Sequence, residues 1–340
     1  MKTVLVTGAT GFVGSHVLEA LMPEQVRLIA AARNPARLLS AFDGEVRRGD
    51  LRDPSYLDRL LDGVDVVCHC AAWTSAYGHS EESRVEFLEP TLRLLDRAVA
   101  AGAHRLVFAG SLHAPHLLRR TPSPLRGTAD AVWPHMANVA RIEEHMAALG
   151  ARRTTMVNLR LGLFVGRRYG LGMLPLLLPR LRTHLVPWVG RGRTTLPLIS
   201  GADIGRAFAR AALAEGLSGY HAVEVVGGEI PTVRQVMGFL HDAFGYPLPH
   251  FGVPFAGAYA FARLMEAVAR LLPGDPFLTR SIVFLLEETA ADNGDAERLL
   301  GYRPRVSWQD AMRDQVAEMR ERGGPAMTMA RPIVPISGAA

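Results

Sequence analysis

The 340-residue chain is almost without lysine: Lys2 is its only one, and every other basic side chain is arginine. A site that needs a lysine amine can therefore be built from residue 2 or not at all. Cysteine is scarce too. Cys68 and Cys70 stand two apart in the apolar run 64–72, where a strand points them to opposite faces, and no third cysteine is present. They cannot easily pair. They read as reduced thiols of a cytoplasmic protein, since a metal site needs further ligands near them. No charge-free apolar stretch reaches the length of about 18 residues that a membrane-spanning helix requires. No charged-then-apolar leader is expected at the N-terminus, because Lys2 runs straight into a strand pattern. Charged residues make up 21% and hydrophobic residues 49%, the balance of a globular chain and not of a disordered one. Basic side chains outnumber acidic ones 38 to 33, for a net charge of +5. The basic residues are scattered with acids among them, and no aromatic–basic module accompanies them, so nucleic acid is not an expected partner.

What the chain does have is alternation. A β-branched run at 3–7 ends in glycine, and helical spacing at 12–22 follows, closed by Pro23. Strand patterns recur at 26–32, 64–71, 105–109 and 154–161, with helical patterns at 56–61, 92–101 and 134–149 between them. Such alternation predicts an α/β fold with a parallel, doubly wound sheet. After Gly166 the texture changes. Prolines 175, 179 and 187 interrupt a stretch rich in leucine and arginine, and 245–280 is rich in Pro, Phe and Ala. A helical pattern at 203–214 lies between these two stretches and reads as a return to the first unit.

The sharpest motif is Thr7-Gly8-Ala9-Thr10-Gly11-Phe12-Val13-Gly14, directly after the first strand and opening a helix. Gly8 permits the tight turn, Gly11 lets backbone N–H groups approach a pyrophosphate, and Gly14 allows close helix–strand packing. A glycine triad alone is weak, but the strand–turn–helix context makes it specific.

TGATGFVG resembles the fingerprint of the extended short-chain dehydrogenases/reductases, within the NAD-dependent epimerase/dehydratase superfamily. Further segments match in the family's order. The resemblance implies that Gly8, Thr10, Gly11, Phe12, Val13 and Gly14 cradle the cofactor phosphates, and that Asp50 and Leu51 meet the adenine. It also implies that Ala71 and Ala72, in His69-Cys70-Ala71-Ala72, line the cofactor. Ser111, ending Leu106-Val107-Phe108-Ala109-Gly110-Ser111, takes the place of the catalytic serine. Ile199-Ser200-Gly201-Ala202-Asp203 resembles the segment that begins the returning helix. Phe277-Leu278-Thr279-Arg280-Ser281 and Leu300-Gly301-Tyr302-Arg303-Pro304 are similar to the 3β-hydroxysteroid dehydrogenase-like and dihydroflavonol reductase-like branch. The likeness runs over residues 1–322.

In NAD-preferring members a carboxylate at the end of the second strand bonds the ribose hydroxyls. Here that position falls near Ala32, and Arg33 follows, with Arg37 close by. A forked guanidinium suits a 2′-phosphate, so NADP(H) is the preferred cofactor, with NAD(H) second. The basic excess fits such a phosphate-bearing ligand. The expected division is an NADP(H)-binding Rossmann domain over 1–166, rejoined by 195–226. A smaller, mostly helical substrate lobe spans 167–194 and 227–325, and a loose tail 326–340.

One family feature is missing. The usual Tyr-x-x-x-Lys pair, in which lysine holds the ribose and lowers the tyrosine's pKa from about 10, cannot exist in this chain. Two registers place the corresponding helix. Aligning Pro134 and Glu143 puts His135 and Val139 at the pair, and aligning Glu144 puts Met136 and Ala140 there. The first is preferred, because a histidine with an ordinary pKa near 6.5 donates a proton without help from a lysine. Arg141 falls on another face of the helix. Glu143 and Glu144 read as structural. His113 and His116 are expected to be surface residues of a loop after Ser111. No metal site or hydrolase triad is indicated.

Residues 255–272 form a helical pattern with charges only at Arg263, Glu266 and Arg270, all on one narrow face. The broad apolar remainder suits core packing, the roof of a hydrophobic pocket, peripheral contact with a membrane, or a partner such as a second copy. The resemblance to the steroid-type branch points to a bulky apolar substrate: a sterol, an isoprenoid or an acyl chain. Three functions stay open: a cytoplasmic NADP(H)-dependent ketone/alcohol oxidoreductase with an atypical site, placed first; a catalytically silent NADP(H)-binding protein; and a non-redox isomerase or cyclase on the same scaffold.

Overall fold

The computed structural model describes residues 1–150, 154–269, 271 and 276–322. The tail expected at 326–340 and the charge at Arg270 lie outside the described residues. The first part of the chain alternates β1 (Lys2–Thr7), α1 (Phe12–Leu21), β2 (Val26–Ala32), β3 (Glu45–Arg48), α2 (Pro54–Leu60), β4 (Val66–His69), α3 (Ser80–Ser83) and α4 (Glu89–Ala100). It continues through β5 (Arg105–Ser111), α5 (His113–Arg120), α6 (Ala129–Val132), α7 (Pro134–Leu149), β6 (Thr155–Leu161), β7 (Leu163–Val165) and α8 (Met173–Leu181). Then come β8 (Trp188–Val189), β9 (Leu198–Ser200), α9 (Gly201–Leu213), β10 (Tyr220–Val225), α10 (Val233–Phe244), β11 (Gly252–Val253) and α11 (Phe255–Ala269). The last helices are α12 (Arg280–Leu285), α13 (Gly294–Leu300) and α14 (Trp308–Glu321).

Seven strands form one parallel sheet in the order β10-β6-β5-β4-β1-β2-β3. The chain starts at β1 in the middle, winds outward to β3, and returns across β1 to build β4 and beyond. The order therefore reverses between β1 and β4, and the crevice above the carboxyl ends of those strands is where ligands bind in such sheets. Alternating residues of each strand feed opposite faces. Val6 and Val107 pack under α1 and α9 with Leu18 and Phe208, while Leu5 and Phe108 pack under α2, α4 and α7 with Leu57, Leu95 and Ile142.

Several elements escape the sequence patterns, among them the sheet strands β3 and β10 and the helices α5, α8, α10, α13 and α14. β3 (Glu45-Val46-Arg47-Arg48) is an edge strand with charged side chains, held by Glu45 bonded to Arg27 at 2.5 Å and Arg47 at 2.7 Å. α5 starts directly after Ser111, with Pro115 in its first turn, where a missing N–H costs nothing.

Beyond the sheet, α8, α10 and α14 share a second core built on Leu178, Val236, Leu240 and Met312. α11 and α12 meet around Tyr259, Ala262 and Val283. A buried polar seam ties these helices to the α5–α7 region. Glu287 accepts from Tyr259 Oη at 2.7 Å, from Arg126 Nε at 2.8 Å and from Arg120. Arg280 donates to Glu266 at 2.7 Å and to the carbonyls of Arg126 and Ala131, both at 2.8 Å. The charged stripe on α11 is thus only partly solvated. Glu266 is buried against Arg280, and Arg263 reaches the carbonyl of Pro124. Among the described residues no helix is long and apolar enough to cross a membrane.

Candidate active site

The glycine loop is built by close approach. Gly8 has φ +63°, and a Cβ there would lie 2.6 Å from the backbone N of Ala71. A Cβ on Gly14 would lie 2.2 Å from the carbonyl oxygen of Gly8. Both positions exclude any side chain on steric grounds. Gly11 differs. It is exposed at φ −88°, and its Cβ would meet only the Gly8 carbonyl, at 3.3 Å. That one contact is tight but, unlike those at Gly8 and Gly14, it is not a clash. α1 begins at Gly11 with no side-chain cap and no acid in its first turn, so its leading N–H groups face the crevice uncapped, as an anion site requires. Thr10 and Phe12 are half-buried beside it, and Val13 is core.

At the outer end, β2 closes on buried Ala32, and Arg33 and Arg37 are exposed. Among the described residues neither is held in an ion pair. Asp50 is engaged: it accepts from the backbone N of Arg52 at 2.9 Å and from its guanidinium at 2.7 Å, and Arg52 also bonds Glu86 at 2.5 Å. Partial burial pushes the Asp50 carboxyl up, but the Arg52 bonds and the charges of Arg52 and Arg33 outweigh it and hold it below its ordinary value. Leu51 packs against the α2/α4 core.

The floor between β1 and β4 is set by His69, whose two nitrogens contact Thr7 Oγ1 at 2.7 Å and Thr91 Oγ1 at 3.0 Å. Burial pulls this imidazole down to about 3, so it is a neutral structural bridge. Ala71 N donates to Thr7 Oγ1 at 3.4 Å, which draws the β4 end over the glycine loop, and Ala72 is exposed beyond it. Cys68 and Cys70 are free, with both thiols pushed up by burial.

Ser111 ends β5 half-buried, and its Oγ accepts from the backbone N of His113 at 3.2 Å. With that acceptor site used, the hydroxyl hydrogen is free to donate elsewhere. α7 packs against β5 and carries His135 as its second residue. The His135 ring is 8% exposed and lies 4.8 Å from the ring of Phe87, on the π-helical stretch Arg84–Leu88. Its Nδ1 is buried and has no hydrogen-bond partner among the described residues. Burial lowers its pKa to about 4, which corrects the ordinary value near 6.5 expected from sequence. Met136, Val139 and Ala140 are buried in the same apolar core. Two turns on, Glu143 accepts from Arg160 at 3.0 Å and Tyr220 at 3.1 Å, whereas Glu144 is exposed.

His113 and His116 are not surface loop residues. Both lie on α5 and are buried, each with an unpartnered Nε2, and burial lowers His113 to about 4 and His116 in the same direction. The i, i+3, i+4 spacing of His113, His116 and Leu117 was the sequence signal for this helix. Among the described residues no three His, Cys, Asp or Glu side chains are grouped to hold a metal ion.

The family model of the NAD dependent epimerase/dehydratase family matches residues 4–224. A 2-alkyl-3-oxoalkanoate reductase of Stenotrophomonas maltophilia is 28% identical over 330 residues, covering 91% of this chain and 97% of its own length. Sterol demethylase protein B of Methylococcus capsulatus is 29% identical over 347 residues, covering 94% and 99%. Among solved structures, the UDP-glucose 4-epimerase of Thermus thermophilus in complex with NAD superposes with a TM-score of 0.65 at 22% identity, over 94% of this chain and 99% of that one. That likeness extends the shared fold beyond the sheet to the C-terminal helices. The chain belongs to the NAD dependent epimerase/dehydratase family and is an NAD(P)-dependent oxidoreductase of the short-chain dehydrogenase type.

Proposed function

We propose that the protein is an NADP(H)-dependent ketone/alcohol oxidoreductase for a bulky hydrophobic substrate, working without the family's Tyr/Lys pair. The observation that carries this reading is the unpartnered, buried Nδ1 of His135 at the first turn of α7. His69, also at the carboxyl edge of the sheet, has both nitrogens satisfied, whereas His135, like His113 and His116, keeps a nitrogen without a partner among the described residues. Of these three, His135 is the one on the helix that carries the tyrosine in the family. A buried polar atom left unpaired is costly unless something else completes it, and a substrate oxygen would do so.

The bound nicotinamide would supply or accept the hydride; the chain's part is to hold the ring and the carbonyl oxygen. The uncapped first turn of α1 and Gly11 would take the pyrophosphate. Arg33, with Arg37, would take the 2′-phosphate, which favours NADP(H) over NAD(H). Asp50 and Leu51 stand at the adenine end, and Ala71 and Ala72 along the dinucleotide. Ser111 donates its hydroxyl hydrogen to the carbonyl oxygen, its own acceptor site being occupied by His113 N. His135 acts as a neutral imidazole whose N–H stabilises the developing alkoxide, and in reduction the alkoxide takes its proton from water as the alcohol leaves. A histidine desolvated at a helix N-terminus can serve in that way. Such a donor needs no lysine to tune it.

The hydrophobic substrate is supported by the relatives, whose names specify an alkyl-oxoalkanoate and a sterol. The test is incubation with NADPH and a panel of apolar ketones, long-chain 2-alkyl-3-oxoalkanoates and 3-oxosterols among them. Oxidation of NADPH with formation of alcohol is expected. Tight binding without oxidation would indicate a silent cofactor-binding protein, and product without oxidation an isomerase or cyclase; either overturns the reading.

A further inference from the structure

α11 carries charge only at Arg263 and Glu266 among the described residues, and much of its apolar remainder lies on the surface. Ala258, Tyr259 and Ala262 fill the core between α11, α12 and β8. The opposite side presents Phe261 and Leu264 (56% exposed), and Leu271, two residues past the helix, is exposed as well. Nine large apolar side chains are exposed among the described residues, and six of them belong to this lobe: Leu171, Leu185, Phe251, Phe261, Leu264 and Leu271.

The chain around them is positively charged. Residues 145–202 contain nine arginines and no aspartate or glutamate. Three of these arginines, Arg182, Arg191 and Arg193, are exposed on the same lobe, and among the described residues none of them is in an ion pair. They flank the ribbon that leads to α11. Arg182 and Leu185 run into β8, and Arg191 and Arg193 leave it. Phe251, whose carbonyl accepts from Trp188 N at 2.8 Å, runs into β11, and α11 follows at once. His184 and His250 stack at the open end of that ribbon, with ring centroids 5.4 Å apart.

We infer that this lobe docks on an anionic phospholipid surface through the outer face of α11 and the arginine-flanked β8–β11 ribbon. Apolar side chains enter the acyl boundary while unpaired guanidinium groups meet phosphates, the combination by which surface-lying helices bind. A second copy of the chain is a poorer occupant. A two-fold interface places like patches against each other, and this one would bring its arginines face to face.

The experiment uses the full chain and sedimentation with two kinds of vesicle: phosphatidylcholine alone, and phosphatidylcholine with phosphatidylserine. Binding is expected to the second and to fall as salt is raised. Phe261→Ser with Leu264→Ser should weaken it at least tenfold. Arg182→Gln and Arg193→Gln should weaken it by about fivefold each, with NADPH affinity unchanged as the check on folding. A wild-type protein that stays in the supernatant with both vesicles overturns the inference. So does equal, salt-independent binding to both, and so does a soluble dimer that Phe261→Ser dissociates. The readout is sedimentation, so a protein inert towards every ketone would leave the inference standing on its own test.

Discussion

Replacing His135 with phenylalanine removes one imidazole and fills much the same volume beside Phe87. The magnitude follows from the burial of that ring. Desolvation holds its pKa at about 4, so at pH 7 about one molecule in a thousand carries the imidazolium. An acid delivered by that minority would make reduction about tenfold faster for each unit of pH lowered. A neutral N–H that stabilises the alkoxide gives a rate independent of pH from about 5 to 9, because the imidazole is neutral across that range. The second behaviour is expected. His135→Phe should lower kcat by about a hundredfold, as loss of an oxyanion donor does, and His135→Gln, which keeps an N–H, should recover part of it. Ser111→Ala should cost a similar factor. NADPH affinity should barely move in any of these variants. The assay is single-turnover oxidation of NADPH at saturating ketone across that pH range. A rate that falls through an inflection near 6.5 would show a solvated imidazolium donor, and an unimpaired His135→Phe enzyme would remove His135 from the chemistry.

The cofactor site and the stability of the chain give further expectations. NADPH should bind at least about tenfold more tightly than NADH, a difference of about 1.4 kcal/mol, and Arg33→Ala should remove most of that preference in a direct titration. Gly11→Val should lower the melting temperature only modestly and abolish cofactor binding, since its Cβ makes one tight contact, with the Gly8 carbonyl at 3.3 Å. Gly14→Val should fail to fold stably, because its Cβ would lie 2.2 Å from backbone; equal melting temperatures for the two variants would contradict this. His69, His113 and His135 are buried with pKa values lowered to between about 3 and 4. The unfolded chain therefore binds more protons than the folded one below about 6.5. Stability should be full above that pH and fall as the solution is acidified towards 4, by roughly 2 kcal/mol per imidazole between pH 6.5 and 5. Denaturant unfolding at a series of pH values checks this, and a midpoint unchanged between pH 7 and 5 would refute it.

The alternation of strands and helices was legible because each sheet strand buried on both faces is a continuous apolar run, and each covering helix has one apolar side. β3 was not, since an edge strand held by Arg27–Glu45–Arg47 pairs carries no apolar run. The glycine loop could be read residue by residue, because Gly8 and Gly14 answer to backbone contacts that no other residue permits. The protonation side of the site could not. Burial decides whether a histidine titrates near 6.5 or near 4, and burial of His135 depends on Phe87, some fifty positions away in sequence. His113 and His116 look like loop polar groups until α5 is seen to turn them inward, with Pro115 masking the helical pattern. Asp50 stood out as a cofactor contact, but nothing in the sequence predicted that Arg52 would occupy its carboxylate.

Hydride transfer at a site with no tyrosine–lysine pair can be followed with NADPH deuterated at the transferable position of the nicotinamide and the ketone that gives turnover, the alcohol being analysed by mass spectrometry. The expected result is one deuterium on the carbinol carbon for each cofactor oxidised. Unlabelled product, or a cofactor that stays reduced while product accumulates, would contradict hydride transfer.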